Sequence, residues 1–221
     1  DWAPANTVYR LRSHPPIESV PSFRDGLFYI QDPSTLLSVD LLDPKPSQAV
    51  LDLCAAPGGK TGLIAERMNN EGQLTATDTS DSRLGLLREN CERLGITCAA
   101  LGQAEAVLAD ATPRFDQALV DVPCSNTGVM RRRLDLRWRI TPEETRYLTD
   151  TQLRLLARAA GFVRQGGALV YSTCSIEPEE NEQIVKRFLE ENTGWQLETE
   201  RTLHPVEDHT DGAYAARLTK D

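Results

Sequence analysis

Basic residues are outnumbered by acidic ones in this sequence. Its 24 lysines and arginines stand against 33 aspartates and glutamates, which gives a formal net charge of −9. Nonspecific adhesion to nucleic acid depends mainly on Lys and Arg displacing counterions, so this balance argues against a protein that coats nucleic acid without selectivity. Any nucleic-acid contact is therefore expected from a local cluster of positive charge.

Long apolar segments are missing as well. No run approaches the roughly 20 apolar residues of a membrane-spanning helix. The N-terminal residues contain arginines and prolines but no hydrophobic block of the signal-peptide type. We therefore predict a cytoplasmic protein with no membrane partner.

Disulfide and zinc-binding patterns are also absent. The five cysteines, at positions 54, 91, 98, 124 and 174, are odd in number and never form a C-x-x-C motif. This argues against a disulfide framework and against a metal site, and the sequence predicts reduced thiols. Free cysteine behaves as a small buried hydrophobe, which is our interpretation of Cys54, Cys91 and Cys98.

The stretch LDLCAAPGGKT, residues 51–61, lacks the full set of glycines of the common diphosphate loops. Gly59-Lys60-Thr61 matches the end of a Walker A motif, but Cys54 occupies the position of its first glycine. A G-x-G-x-x-G fingerprint fails too, because Ala-Ala-Pro at residues 55–57 fills the turn. The loop is expected to face a nucleotide-type ligand, and a P-loop phosphohydrolase is the most distant alternative.

Apolar and amphipathic runs alternate from Ala49 onward, which is typical of βα repeats around a mostly parallel sheet. The predicted strands are 49–53, 73–78, 97–101, 117–121 and 168–174, and the predicted helices are 61–68, 84–94, 141–161 and 178–191. A strand pair from Trp195 onward is expected to complete the sheet. We therefore predict an α/β fold with one catalytic domain at residues 46–221.

The first 45 residues differ in kind and are predicted to form a small N-terminal α+β extension. Asp25-Gly26 lies between apolar flanks, which is a strong signal for a β-hairpin. Asp32 followed by Pro33 predicts the start of a helix, with the aspartate as its cap.

Several polar and thiol side chains are predicted to follow strand ends, where ligands of open parallel sheets bind. Asp78 lies 19 residues beyond Gly59, the separation at which an acid commonly binds ribose hydroxyls. Cys124 follows the fourth predicted strand and Cys174 ends the fifth. We expect both thiols and an adenosine-type ligand in one crevice, although Asp78 is also explained as a helix cap and Asp52 as an acceptor for loop amides.

Two thiols beside a nucleoside cofactor suggest covalent catalysis. A thiolate that adds to an electron-poor ring carbon makes another carbon of that ring nucleophilic. Such a site must lower the thiol pKa or take its proton, because an ordinary thiol is little ionised at neutral pH. Cytosine fits this chemistry, because attack at carbon 6 lets carbon 5 accept a methyl group while the second thiol removes a proton or assists release.

The segment RRRLDLRWR concentrates positive charge around one aromatic ring. Its cationic and aromatic members are Arg131, Arg132, Arg133, Arg137, Arg139 and Trp138. Cations interleaved with an aromatic side chain serve phosphates and base stacking together, so we predict a nucleic-acid contact here. The alternative is a solvated surface segment.

Four motifs together resemble the RNA cytosine-5 methyltransferases of the Sun/RsmB type. They are VLDLCAAPGGKT, DVPCSNTGVMRRR, LVYSTCSIEPEENE and the terminal DGAYAARL, and the resemblance covers nearly the whole chain from about Pro21. Members of this family act on small-subunit ribosomal RNA or close relatives of it. The resemblance implies a Rossmann-like methyltransferase sheet, S-adenosylmethionine as cofactor and RNA as partner.

The resemblance also implies roles for individual residues. Cys174 would be the nucleophile on carbon 6, Cys124 would serve breakdown of the covalent adduct, and Asp121 would lie near the methyl donor and the target base. Asp78 would bind the ribose hydroxyls. The implied cofactor loop comprises Cys54, Ala55, Ala56, Pro57, Gly58, Gly59 and Lys60.

Two positions depart from the family pattern. Gln103 stands where the family usually has an acid near the adenine amino group, and its amide still hydrogen-bonds an adenine edge without bringing a charge. The terminal DGAY, residues 211–214, replaces a common aromatic pair, which we interpret as packing.

Other functions remain open on the sequence. A methyltransferase acting on tRNA, protein or a small molecule would explain the loop and Asp78 but would leave the paired cysteines and the arginines without a role. An RNA-binding ribosome-assembly factor with a vestigial pocket is favoured by Gln103 and disfavoured by Cys124 and Cys174. The leading hypothesis is methylation of carbon 5 of a cytosine that is extruded from ribosomal RNA into the crevice.

Overall fold

Strands and helices alternate along the part of the chain that the computed structural model describes, residues 7–109 and 112–221. The strands are Ala49–Asp52 (β1), Gln73–Asp78 (β2), Ala99–Gln103 (β3), Phe115–Asp121 (β4), Val163–Thr173 (β5), Trp195–Leu203 (β6) and Ala213–Lys220 (β7). The α-helices are Pro21–Arg24 (α1), Leu36–Leu42 (α2), Gly59–Arg67 (α3), Asp81–Arg93 (α4), Ala104–Val107 (α5), Pro142–Phe162 (α6) and Glu182–Glu191 (α7). None of the helices in these ranges combines the length and the apolar character needed to cross a membrane.

The strands of the described residues form one seven-stranded sheet in the order β3-β2-β1-β4-β5-β7-β6. Neighbours from β3 to β5 are parallel, whereas β7 is antiparallel to both β5 and β6. The predicted α/β class and the terminal strand pair are confirmed. The strand order reverses between β1 and β4, so the loops that follow these two strands diverge and leave a crevice at the carboxyl edge.

The two faces of the sheet bury different helices. Leu51, Ala118 and Leu169 lie in one core cluster with side chains of α6 and α7. Their neighbours along the same strands, such as Val50 and Leu119, lie in a second cluster with side chains of α2 and α3. Alternate residues of a strand point to opposite faces, so the near-continuous apolar runs of these strands reflect burial on both sides.

The predicted hairpin at Asp25-Gly26 is wrong, and so is the predicted α+β character of the extension, because residues 7–45 contain helical segments and no strand. The turn closes helix α1, and the amides of Asp25 and Gly26 donate to the carbonyls of Pro21 and Phe23 at 2.8 and 3.1 Å. Gly26 adopts a φ of 74°, and a Cβ atom there would lie 1.8 Å from the carbonyl oxygen of Arg93. The glycine is therefore needed for a left-handed turn against helix α4, and the Asp-Gly pair ends a helical turn here instead of joining two strands.

The predicted helix start at Asp32-Pro33 is confirmed. The Asp32 carboxylate accepts the backbone N–H of Ser34 at 3.0 Å, and a 3₁₀ turn at Pro33–Thr35 leads into α2. Helix α2 buries Leu37 and Leu42 in the core of the sheet. The domain boundary at residue 45 stays a prediction.

The helix predicted over residues 178–191 is interrupted. A 3₁₀ turn at Pro178–Glu180 precedes α7, and Asn181 between them has φ −111° and ψ −109°. The Asn181 side chain accepts from the Thr173 hydroxyl at 2.6 Å and donates to the Ser175 carbonyl at 3.0 Å. These bonds hold the chain to the end of β5 and explain the break in the helix.

Candidate active site

Two cysteines meet at the carboxyl edge of the sheet. Cys124 follows β4 and Cys174 follows β5, and these neighbouring strands pair in parallel with Asp121 opposite Ser172. The two Sγ atoms lie 3.3 Å apart. The pair is part of the crevice edge, with Cys124 buried and Cys174 partly exposed. The expected meeting of the two thiols at one edge is thus present in the structure.

The proton of this pair resides preferentially on Cys124. A hydrogen bond to Cys174 raises the pKa of Cys124, and burial raises it further. The same contact lowers the pKa of Cys174 despite the opposing effect of burial, because a Cys174 thiolate accepts a hydrogen bond from the Cys124 thiol. Asp121 opposes ionisation of Cys174 and Lys60 favours it. Cys174 is therefore the sulfur that becomes a thiolate first.

Asn126 joins the two cysteine loops and was missed by the sequence analysis. Its backbone is left-handed, with φ 62°, a conformation that asparagine tolerates better than most residues. Its Nδ2 donates to the Cys124 carbonyl at 2.7 Å, and its Oδ1 accepts from Cys174 Sγ at 3.0 Å. The sequence signal was an Asn two residues after a strand-end cysteine.

A carboxylate and an ammonium group lie beside the sulfurs. Asp121, at the end of β4, forms an ion pair with Lys60 from the start of α3. The Ser172 hydroxyl donates to Asp121 Oδ1 at 2.7 Å. The Asp121 side chain is one-third exposed, so it faces the crevice while two partners fix its orientation.

The glycine loop leads from β1 into helix α3. Gly58 has φ 108° at the N-cap, and a Cβ atom there would lie 2.9 Å from Leu87 of α4. At Gly59 a Cβ would lie 2.8 Å from the Tyr29 ring and 2.9 Å from Gln31 Oε1, so the N-terminal extension packs over the loop. The first N–H groups of a helix have no intrahelical partner and attract anions, so the start of α3 offers an anion site.

Side chains of the loop itself are mostly apolar. Ala55 and Ala56 are buried in a cluster with Leu84 and Leu87 of α4, and Cys54 packs against the main core. Burial raises the pKa of the Cys54 thiol to about 12, so this sulfur stays protonated. The interpretation of Cys54 as a packing residue agrees with this position, and its polar contribution to the loop is its backbone.

Asp52 lies at the end of β1 beneath the loop. The Thr61 hydroxyl donates to Asp52 Oδ2 at 2.7 Å, while Oδ1 is buried without a hydrogen-bond partner among the described residues. Burial raises the pKa of Asp52 to about 7, partly offset by the Thr61 bond. The sequence predicted that Asp52 accepts hydrogen bonds from loop amides. In the structure it accepts one from the Thr61 hydroxyl instead.

Asp78 ends β2 and is buried. Its carboxylate accepts the backbone N–H groups of Ala56 and Ser80 at 3.3 and 3.2 Å, and the Arg83 guanidinium lies 3.3 Å away. Ser80, not Asp78, caps helix α4. Asp78 therefore links the glycine loop to the start of the next helix, at the position predicted for a ribose-binding acid.

Gln103 ends β3 in register with Asp78. Its Nε2 donates to Asp81 Oδ1 at 2.6 Å, which fixes the amide plane at the start of α4. Gln103 lacks the negative charge of the acid that the family usually has here, but the adjacent Asp81 carboxylate carries one. Asp78 and Gln103 are adjacent polar ends of two paired strands.

The first two arginines of the basic segment pair with buried acids of the protein, although their own side chains stay about half exposed. Arg131 donates through Nε to Asp211 and through Nη2 to Asp32, both at 2.6 Å, and Arg132 pairs with Asp211. The Asp211 amide donates to Asp32 Oδ1 at 2.9 Å. We call these residues, Asp32, Arg131, Arg132 and Asp211, the arginine clasp. Asp211 is 1% exposed, so the DGAY motif contributes a buried charge as well as packing.

The rest of the basic segment faces outward. Arg133 and Arg139 each lie 3.5 Å from the exposed Asp135. The Trp138 ring is 83% exposed, with the Arg137 guanidinium 5.5 Å from its centroid. Contact of these residues with RNA stays a prediction, and the exposed Arg137–Trp138 pair fits it better than the two clasp arginines do.

Comparison with known proteins gives a consistent family. A protein-family model described as 16S rRNA methyltransferase RsmB/F matches residues 39–219. The chain is 37% identical over 223 residues to the probable ribosomal RNA small subunit methyltransferase B of Synechocystis sp., covering 92% of this chain and 50% of that protein. It is 40% identical over 173 residues to the protein of the same name from Bacillus subtilis, covering 77% and 39%.

A solved structure is also similar to the chain. The crystal structure of NSun6 from Pyrococcus horikoshii with SFG superposes with a TM-score of 0.85 at 31% identity, over 94% of this chain and 56% of that one. The present chain spans about half the length of the curated relatives that it matches.

Proposed function

Because the chain belongs to the 16S rRNA methyltransferase RsmB/F family, we propose that it transfers a methyl group from S-adenosylmethionine to carbon 5 of a cytosine in small-subunit ribosomal RNA. The observation that carries this proposal is the pair of sulfurs 3.3 Å apart at the carboxyl edge of the sheet. A methyltransferase acting at an oxygen or nitrogen atom has no need of two thiols in one site. Methylation of a pyrimidine ring carbon gives both thiols a role, one in addition to the ring and the other in breakdown of the adduct.

The donor set around the glycine loop fits S-adenosylmethionine. The N–H groups at the start of α3 suit its carboxylate, the Asp78 carboxylate suits the ribose hydroxyls, and the Gln103 amide suits the adenine edge. The relative from Pyrococcus horikoshii carries SFG, an analogue of this cofactor. The cofactor supplies a methyl group bound to a positively charged sulfur.

Cys174 is the proposed nucleophile. Its thiolate attacks carbon 6 of the cytosine, which forms a carbon–sulfur bond and makes carbon 5 electron-rich enough to accept the methyl group. Cys174 is the more exposed sulfur and the one with the lower pKa, because the Cys124 thiol donates to it. Lys60 further favours the thiolate.

Cys124 is proposed to act in the second half of the reaction. Carbon 5 must lose its proton before the bond between carbon 6 and Cys174 breaks and the double bond re-forms. Its raised pKa keeps Cys124 protonated while Cys174 attacks, so Cys124 removes the carbon 5 proton only after its own proton has passed to solvent; once ionised it is a strong base, which suits this step. Asp121, oriented by Lys60 and Ser172, is the carboxylate that we assign to the target base.

The RNA contact is proposed to lie on the segment that follows Cys124. The target base must leave its stack to reach the sulfurs, at a cost of about a few kcal/mol that a loop or bulge reduces. Arg137 and Trp138 are exposed neighbours, with the guanidinium 5.5 Å from the ring centroid, so together they offer a phosphate contact and a stacking surface.

The test is mapping of 5-methylcytosine in small-subunit ribosomal RNA incubated with the protein and S-adenosylmethionine. We expect Cys174→Ser to reduce methylation to background, and Cys124→Ala to accumulate a covalent protein–RNA adduct on a denaturing gel. Cys98→Ala, which changes a cysteine outside the crevice, serves as the control and should retain activity. Full activity in Cys174→Ser, or methylation at another atom, would contradict the proposal.

A further inference from the structure

Glu180 is a buried carboxylate directly behind the two cysteine loops. It is 0% exposed. Its Oε1 accepts the Ser125 N–H and the Gln152 side-chain amide, both at 2.9 Å. Its Oε2 accepts the hydroxyls of Ser175, at 2.5 Å, and of Ser125. An ionised carboxylate is unfavourable in an interior unless it is hydrogen-bonded, and four donors meet that need here.

The donors to Glu180 are the immediate neighbours of the catalytic sulfurs. Ser125 follows Cys124 and Ser175 follows Cys174, and the two hydroxyls lie 3.2 Å from each other. The Gln152 amide also donates to the carbonyl of Pro123, the residue before Cys124, at 3.0 Å. The Glu180 carboxylate therefore bonds to the backbone N–H that follows Cys124 and to the serine hydroxyls that follow both cysteines.

We propose that Glu180 is a positioning residue that sets the distance between the sulfurs of Cys124 and Cys174. A carboxylate suits this role because both of its oxygens accept, so it bonds to donors from the two loops at once. The inference rests on the proposed two-thiol reaction. It assigns a function to the third acid of the EPEEN motif, which touches neither sulfur.

Geometry and charge are separable at this position. In Glu180→Ala both loops lose their shared acceptor, so the sulfurs separate and the bond from the Cys124 thiol to Cys174 weakens. In Glu180→Gln the amide oxygen replaces one acceptor and its NH₂ group donates to the serine hydroxyls, which are able to accept. The spacing is then retained while the negative charge is lost. Glu179→Ala changes the exposed neighbouring acid and is the matched control.

The readout is the pH dependence of Cys174 alkylation by iodoacetamide, measured by mass spectrometry on the full chain without RNA. For Glu180→Ala we expect the midpoint to rise by about one pH unit, because the hydrogen bond that favours the thiolate is weakened. For Glu179→Ala the midpoint should match the unsubstituted protein, and for Glu180→Gln it should not rise, because the spacing is kept and only a negative charge that raises the pKa of the neighbouring Cys124 is lost. If Glu180→Ala does not fold, Ser125→Ala removes one of the bridging hydroxyls and should move the midpoint in the same direction.

Turnover on ribosomal RNA gives the second readout. Misplacement of reacting groups by about 1 Å lowers rates by about 100-fold, so we expect Glu180→Ala to lower kcat by about that factor with little change in KM. An unchanged alkylation midpoint in Glu180→Ala, with kcat falling only in proportion to the folded fraction, would overturn the positioning role. If the unsubstituted protein fails to methylate cytosine, the proposed function is lost while the alkylation result still decides the role of Glu180.

Discussion

At the scale of single residues, Asp52 shows how the fold tolerates an unfavourable group beneath a binding loop. The carboxyl is fully buried, one oxygen is bound to Thr61, and burial raises its pKa to about 7. In the unfolded chain the same group ionises near 3.8. Between these two values the folded protein holds a proton that the unfolded chain has released, so stability falls as pH rises through this window.

We predict that Asp52→Asn removes this pH dependence. A shift of that size corresponds to roughly 4 kcal/mol. The free energy of unfolding of Asp52→Asn, relative to that of the unsubstituted protein, should therefore increase by up to that amount between pH 4 and pH 8. Any fixed cost of the buried amide is independent of pH. The measurement is urea unfolding at four pH values, with the exposed Asp150→Asn as control. Parallel stability curves for Asp52→Asn and the unsubstituted protein would contradict the prediction.

The strand-end cysteines were predictable from the sequence because adjacency followed from a simple rule. Apolar strands ending at Asp121 and Thr173, together with the expectation of a parallel sheet, place the next side chains at one edge. Asn126 and Glu180 were not predictable in this way. Their roles depend on hydrogen bonds between loops that are 48 and 55 residues apart in the chain, and no local pattern specifies such bonds.

At the scale of elements, the arginine clasp joins three connections of the chain. Asp32 precedes α2, Arg131 lies between β4 and α6, and Asp211 lies between β6 and β7. Burial tends to raise the pKa of Asp32, but amide hydrogen bonds from Asp211 and Ser34 and the charge of Arg131 hold it below its ordinary value. The clasp thus stabilises the ionised form of Asp32 next to the segment that carries Cys124.

We predict that Arg131→Ala and Arg137→Ala have different effects. Arg131→Ala removes charged hydrogen bonds to two buried carboxylates and should lower the free energy of unfolding by roughly 2 kcal/mol. Arg137→Ala changes an exposed side chain and should alter stability by less than about 0.5 kcal/mol. It should instead reduce the slope of log K for RNA binding against log salt concentration by about one, the value for one phosphate contact.

Urea unfolding and RNA-binding titrations at several salt concentrations separate the two effects. Trp138→Ala should weaken RNA binding by about 1–3 kcal/mol if a base stacks on the ring. Equal stability of Arg131→Ala and Arg137→Ala would argue against the clasp, and an unchanged salt slope in Arg137→Ala would argue against the RNA contact.

Element prediction succeeded where local periodicity carried the information and failed where a distant contact selected the conformation. Strand β2 was predicted with its observed bounds because its apolar residues and flanking glycine are local signals. Asp25-Gly26 fits both a hairpin and a helix end, and packing of Gly26 against the Arg93 carbonyl favours the second. The whole basic segment was predicted to contact nucleic acid, but Arg131 and Arg132 donate hydrogen bonds to Asp211, about 80 residues away in the chain.

At the scale of the whole molecule, helix α4 holds the N-terminal extension against the glycine loop. The Arg93 guanidinium lies 3.9 Å from the Phe23 ring centroid and donates to the carbonyls of Phe23 and Phe28 at 2.9 and 3.1 Å. The extension then continues to Tyr29 and Gln31, which contact Gly59. Arg93 therefore links α4 to the extension, and the extension in turn contacts the start of α3.

We predict that Arg93→Ala releases the extension. Loss of two charged hydrogen bonds and the ring contact should increase the rate of limited proteolysis within residues 20–31 by about tenfold or more, because local opening then costs less free energy. Arg88→Ala, on the exposed face of the same helix, is the matched control and should leave the cleavage rate unchanged. Equal cleavage of the two variants would show that other contacts hold the extension.

The sheet also has consequences for how separate copies of the chain meet. The sheet ends at two outer strands, β3 and β6. Strand β6 presents an open row of backbone groups, which is a template for pairing with another strand. Along its exposed length lie Glu198, Glu200 and Arg201. An incoming chain would have to bury these charges, so the acidic character of the sequence protects the edge against aggregation.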